Sequence, residues 1–287
     1  MLTVIPEIAK EDCFALHGGT AINLFVRNMP RLSVDIDLTY IPVEDRTTSI
    51  NNINSALVSI KLRLEKLMPE TLILHKQDEA KLIITSRDVI VKLEVNTIKR
   101  GVLSQPETRT LCAKAEQEFD VACSINVVSL SELYGGKICA ALDRQHPRDL
   151  FDIKFLLESE GYTDAIKTGF YFALLGSSKP IHELLFPNLH DQQKAFEYQF
   201  TGMSFEHFTY ADYENVRSKL LAVIHNNITD YDKSFLLNFN KLTPDWSLYP
   251  FENFPAIAWK LQNLQKLKTI NPQKYQEQID LLQLKFS

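Results

Sequence analysis

The chain has 287 residues, 45% of them hydrophobic and 23% charged, with 9 glycines and 12 prolines, which excludes a disordered or fibrous protein and leaves one large domain or two ordinary ones. A net charge of −5 and a pI near 5.8 argue against a protein whose whole surface grips nucleic acid through its charge. The opening residues MLTVIPEIAKEDCF show no basic leader ahead of a long apolar run, and no window reaches the ~18 uninterrupted apolar residues of a membrane span, so a cytoplasmic protein with no membrane partner is expected.

Taken in chain order, Phe14 to Ala21 places Gly18 and Gly19 after an apolar run and ahead of a helical stretch from Ala21 to Val26. Glycines there let backbone approach a ligand closely, and free amides at a helix start can hold phosphate oxygens; a plain turn into a helix would carry the same residues. Four β-rich runs follow: Ser33 to Tyr40, Thr71 to His75, Leu82 to Thr85 and Val89 to Ile98. Between Lys81 and Arg100 the positive residues Lys81, Arg87, Lys92, Lys99 and Arg100 outnumber Asp88 and Glu94, a local basic excess that suits either a polyanion or a strand edge guarded by lysines. Beyond Val128 helical patterns dominate. Ser129 with Glu132 has the form of a capping box, Pro147 suits the first turn of a second helix through RDLFDIKFLLES, and Gly161 ends it. Prolines 180, 187, 244, 250, 255 and 272 divide the remainder into further helices that carry no chemical motif. Cys13, Cys112, Cys123 and Cys139 are widely spaced, with no CxxC pair, and read as buried free thiols.

The segment from Arg31 to Tyr40 alternates. With period two, Ser33, Asp35 and Asp37 share one strand face and Val34, Ile36 and Leu38 the other. Like charges two apart on one face repel unless a cation neutralises them, and hard oxygen ligands suit Mg²⁺ or Mn²⁺; a solvated strand face is the alternative. The run Val89 to Ile98 repeats the layout, with Lys92, Glu94 and Asn96 opposite Val91, Leu93 and Val95, so Glu94 is the candidate third carboxylate.

The order GG[ST], then D-x-D on a strand, then a later acidic strand residue resembles the nucleotidyltransferase superfamily that includes DNA polymerase β. More narrowly, Gly18-Gly19-Thr20, Arg31-x-Ser33-x-Asp35-x-Asp37-Leu38, and Lys137 leading into Arg144-x-x-x-Arg148-Asp149-Leu150-Phe151-Asp152-Ile153 are similar to the AbiEii nucleotidyltransferase toxins of type IV toxin–antitoxin and abortive-infection systems. The resemblance spans residues 18 to 153. It implies an α+β fold, with a polymerase β-like domain of mixed sheet and flanking helices at 1–128. A mainly helical domain at 129–287 then contributes Lys137 and Asp152 to the cleft. Thr20 stands where many members carry serine, a change that keeps the hydroxyl.

The implied chemistry is attack by an acceptor hydroxyl on the α-phosphate of a nucleoside triphosphate (NTP), with loss of pyrophosphate. Asp35, Asp37 and Glu94 would bind Mg²⁺ or Mn²⁺. Gly18, Gly19, Thr20, Ser33, Lys137 and Asp149 would bind the nucleotide, and Asp152 joins Lys137 in catalysis. The resemblance further implies an RNA acceptor such as a tRNA 3′ end, and a cognate antitoxin. A small-molecule nucleotidyltransferase of the aminoglycoside type would use the same carboxylates, and a non-catalytic scaffold would not need them.

Overall fold

The computed structural model describes residues 1–87 and 89–287; Asp88, counted above in the basic stretch, lies outside the described residues. The chain divides into two compact units, Met1–Ser129 with Met203–Glu206, and Leu130–Gly202 with His207–Ser287. The fold is α+β, and the first unit takes in residues 203–206.

In the first unit a short helix α1 (Ile5–Ile8) precedes β1 (Phe14–His17), α2 (Gly18–Ala21), a π-helical turn at Ile22–Val26, β2 (Ile36–Tyr40), the long α3 (Arg46–Leu67), β3 (Leu72–Lys76), β4 (Lys81–Ser86), β5 (Val89–Asn96), β6 (Glu107–Thr110), α4 (Ala113–Phe119) and β7 (Ser124–Val127). The seven strands form one mixed sheet in the order β3-β4-β5-β2-β1-β7-β6. β2 runs parallel to β5 and antiparallel to β1. Period-two alternation buries Ile73, Leu82, Ile84, Val91, Leu93 and Val95. Packed against β3 and β4, α3 buries Ile53, Leu57, Ile60 and Leu64, and Asp45 caps it by accepting the amides of Thr47 and Thr48 at 2.9 and 3.1 Å.

Two expected boundaries shift. β2 begins at Ile36 and not at Ser33, and Val34, expected on the buried face, is 51% exposed. The cause is the neighbouring strand. The β1–β2 ladder ends at the pair His17↔Asp37, because Gly18, at φ +74°, turns the chain into α2 and leaves residues 33–35 no partner there. Likewise the helix expected from Ala21 starts at Gly18 and loosens into the π turn.

The second unit is helical: α5 (Leu130–Arg144), α6 (Pro147–Glu158), α7 (Asp164–Leu175), α8 (Ile181–Leu185), α9 (Gln193–Gln199), α10 (Tyr210–Asn226), α11 (Asp230–Asn240), α12 (Pro255–Ile270) and α13 (Pro272–Phe286). Prolines open α6, α12 and α13, where the missing amide would have had no helical partner anyway. After Glu158 the chain turns off α6 at Gly161, at φ +71°, whose amide donates to the Leu156 carbonyl at 2.8 Å. α5 and α7 meet backbone to backbone. A Cβ at Gly135 would collide with the Gly169 carbonyl, and one at Gly169 with the Ser131 carbonyl. This contact fixes the α5 turn that carries Lys137. No helix among the described residues is long and apolar enough to cross a membrane.

Candidate active site

The register of the sheet sets a polar row across five strands. Lys76 faces Lys81, Lys81 faces Glu94, Glu94 faces Asp37, and Asp37 faces His17. Residues directly opposite in register project from the same face, so the Asp37 and Glu94 carboxylates are neighbours. Lys81 Nζ lies 2.5 Å from Glu94 Oε1, a side chain 45% exposed. The hydrogen bond that Lys81 donates to Glu94, with the charges of Glu94, Glu79 and Asp35 adding to it, raises the Lys81 pKa above its ordinary value. Asp35 is exposed, one residue ahead of β2.

The glycine turn is packed by the side chains of this row and of the segment before β2. A Cβ at Gly18 would collide with Asp37 Oδ2, and one at Gly19 would come within 2.9 Å of Arg31 Nη2 and 3.1 Å of Ser33 Oγ. Thr20 is fully buried; its hydroxyl donates to the Asp35 carbonyl at 2.5 Å and lies 3.0 Å from Ser33 Oγ. These contacts tie the turn to the D-x-D segment. Thr20 and Ser33 thus reach the site through the protein's own backbone and hydroxyls.

Arg31, only 3% exposed, donates through Nη1 to the Leu32 carbonyl at 2.8 Å. The segment 203–206 holds its backbone: Arg31 bridges Ser204, the Leu32 amide donates to the Met203 carbonyl at 2.9 Å, and the Phe205 amide donates to the Pro30 carbonyl at 2.8 Å. The motif in the sequence carries Arg31 without a role, and Lys81 enters there only in the local basic excess; its place opposite Glu94 is set by register, which a sequence does not print.

The chemistry of the row suits a hard divalent cation, since adjacent carboxylates of opposite strands otherwise repel. Among the described residues no three His, Cys, Asp or Glu side chains stand grouped to hold a metal as they lie, Glu94 being engaged by Lys81. Asp35 and Asp37, with Glu94 exchanging its lysine for the ion, are the residues that fit one.

In the second unit α5 and α6 bring together the other predicted residues. Lys137 is buried, with Nζ 2.9 Å from Asp149 Oδ1 and 3.0 Å from Asp152 Oδ2. Arg144 adds a two-point contact to Asp149, Nε at 2.5 Å from Oδ2 and Nη2 at 2.9 Å from Oδ1. Burial alone would raise the Asp149 carboxyl; the Lys137 ammonium and Arg144 guanidinium more than reverse this and hold it well below the usual carboxylate range. His146 caps α6, its Nδ1 accepting the Arg148 amide at 3.1 Å while Nε2 lies 3.0 Å from Gln199 Oε1. An Nδ1 that accepts requires the neutral ring, and burial lowers the His146 pKa in agreement.

A sequence model of the family described as the nucleotidyl transferase AbiEii toxin of type IV toxin–antitoxin systems matches residues 1–263. The chain belongs to this family. It is therefore a nucleotidyltransferase toxin. Among solved structures, MenT4, a nucleotidyltransferase toxin from Mycobacterium tuberculosis, matches with a TM-score of 0.61 at 11% identity, covering 92% of this chain and 90% of that one. Such identity speaks for a shared fold. Among curated protein sequences none matches this one.

Proposed function

We propose that this AbiEii-family toxin transfers a nucleoside monophosphate from an NTP to a hydroxyl of RNA, with the 3′ end of tRNA as the acceptor, in a reaction that needs Mg²⁺ or Mn²⁺. The observation that carries the reading is the register Asp37↔Glu94, which makes two carboxylates neighbours on one sheet face, with Asp35 exposed one residue before β2. A bound divalent ion would supply there a lowered hydroxyl pKa and neutralisation of phosphate charge. Asp35, Asp37 and Glu94 hold it. Gly18 and Gly19 let the turn that would bind the triphosphate pack directly against Asp37, Arg31 and Ser33, Thr20 and Ser33 fix the turn against the Asp35 backbone, and Arg31 adds a buried positive charge beside Gly19.

In the second unit Lys137 serves the same reaction as a point charge for phosphate oxygens, oriented by Asp149 and Asp152. A small-molecule acceptor calls for an enclosing pocket, whereas Asp35 is exposed and Glu94 is 45% exposed, which favours a macromolecular acceptor. The toxin would act in the cytoplasm, where NTPs and tRNA meet, under control of a cognate antitoxin.

The reading is tested by incubating the protein with each α-labelled NTP, Mg²⁺, and either total RNA or an aminoglycoside panel. Label at RNA 3′ ends that disappears with EDTA is the expected result. Label on an aminoglycoside, or RNA labelling indifferent to EDTA, contradicts it.

A further inference from the structure

The β3–β4 hairpin closes on two lysines. Register sets Lys76 directly opposite Lys81, and like charges that face each other across a ladder repel unless acids offset them. Two acids do so here. Glu79, in the turn Gln77–Glu79 that joins the strands, has Oε1 2.8 Å from Lys76 Nζ. Glu94, on the strand at the other side of β4, has Oε1 2.5 Å from Lys81 Nζ. Glu79 is within electrostatic reach of both lysines: the hydrogen bond from Lys76 lowers its carboxyl pKa, and the charges of Lys76 and Lys81 lower it further. Lys81 thus stands between two acids, one in the carboxylate row and one outside it.

The two acids differ in what else can claim them. Glu94 faces Asp37 in register, with Asp35 one residue ahead of β2, so a divalent ion at Glu94 gains carboxylate oxygens from its neighbours as well. The ion pair that Lys81 makes there is no strong competitor, because Glu94 is 45% exposed and solvent screens the pair. Glu79 lies in the turn beside the lysines, where it can take a second ammonium once the first acid is lost.

We propose that Lys81 is an exchangeable counter-ion of the carboxylate row, holding Glu94 until a divalent ion takes that carboxylate and then shifting its ammonium to Glu79. The inference rests on Asp35, Asp37 and Glu94 being the metal site. Lys81 and the ion compete for Glu94, so Lys81 sets the metal affinity, and Glu79 sets how readily Lys81 lets go. With its own cation in place, the row is relieved of part of its repulsion whether or not metal is bound.

Mn²⁺ binding to the full chain, followed by electron paramagnetic resonance without nucleotide or acceptor, tests this. Lys81→Met is expected to tighten binding about tenfold, since it removes both the competitor and a positive charge beside the ion. Glu79→Gln is expected to weaken binding about threefold in the wild-type chain but to leave it nearly unchanged in the Lys81→Met chain, because its effect passes through Lys81. Lys92→Met removes an exposed lysine from the same face of β5 as Glu94 and should tighten binding by no more than about twofold, which separates exchange from general charge. Unchanged binding in Lys81→Met, equal tightening by Lys92→Met, or equal weakening by Glu79→Gln in both backgrounds overturns the proposal. The Asp37→Asn variant tells the two readings apart. If it binds Mn²⁺ as wild type does, the metal site itself is misplaced; if it loses binding while Lys81→Met leaves binding unchanged, only the exchange is wrong.

Discussion

The two units hold their acidic residues in opposite ways. In the sheet, Asp37 and Glu94 are neighbours on one face with Asp35 exposed beside them, a repulsion that Lys81 offsets only in part through its ion pair with Glu94. Between α5 and α6, Asp149 and Asp152 are buried, and Lys137 and Arg144 surround them with charge-assisted hydrogen bonds. Carboxylates placed against their own repulsion signal a ligand; carboxylates buried in a saturated cluster couple whatever chemistry they perform to stability. Substitutions in the two places should therefore separate activity from folding to different degrees.

The sharpest separation is expected at Asp37. Asp37→Asn keeps the shape and relieves repulsion from Glu94, so nucleotidyl transfer should fall on the order of 10²–10³-fold while the melting temperature holds or rises. A variant that melts well below wild type would assign Asp37 to the fold. The opposite is expected at Asp149. Asp149→Ala leaves the buried Lys137 with Asp152 in place of two aspartates and returns the exposed Arg144 to solvent, and should cost about 3 kcal/mol in urea unfolding. A loss under 1 kcal/mol would show the cluster to be solvated and detachable from the fold.

Acid titration sharpens the same contrast. Because the native Asp149 pKa lies below its ordinary value of 3.8, its contribution is fully present above that pH and is lost as pH falls toward the native pKa. Wild-type stability should decline below pH 3.8, and Asp149→Asn should show a shallower decline there. The smallest effect is expected at the α6 cap, where His146→Ala should cost about 1 kcal/mol at neutral pH and spare transfer.

Most of the chemistry was legible in the sequence because it sits in local motifs. Gly18-Gly19-Thr20, the D-x-D spacing and the alternation around Glu94 need only neighbours along the chain, and so does the amphipathic helix opened by Pro147. What failed was set by partners far away. The early half of the expected strand at Ser33–Asp35 forms no ladder because Gly18 turns β1 aside, and a sequence does not say where a neighbour ends. β1, β6 and β7 are four residues each, too short for periodicity to declare them. The burial of Lys137 between two aspartates of α6 is likewise set by distant partners, so its removal will disturb stability as well as rate. The anchoring of Arg31 by residues 203–206 connects positions too far apart in the chain for any local pattern.

In the proposed reaction the open carboxylate row, and not the buried cluster, would hold the metal. Mn²⁺ binding followed by electron paramagnetic resonance tests it without needing an acceptor. Wild-type protein should bind Mn²⁺ in competition with Mg²⁺, Asp35→Asn and Asp37→Asn should lose that binding by at least about tenfold each, and Lys137→Arg should retain it. Undiminished binding in both aspartate variants, or loss confined to Lys137→Arg, would contradict the account.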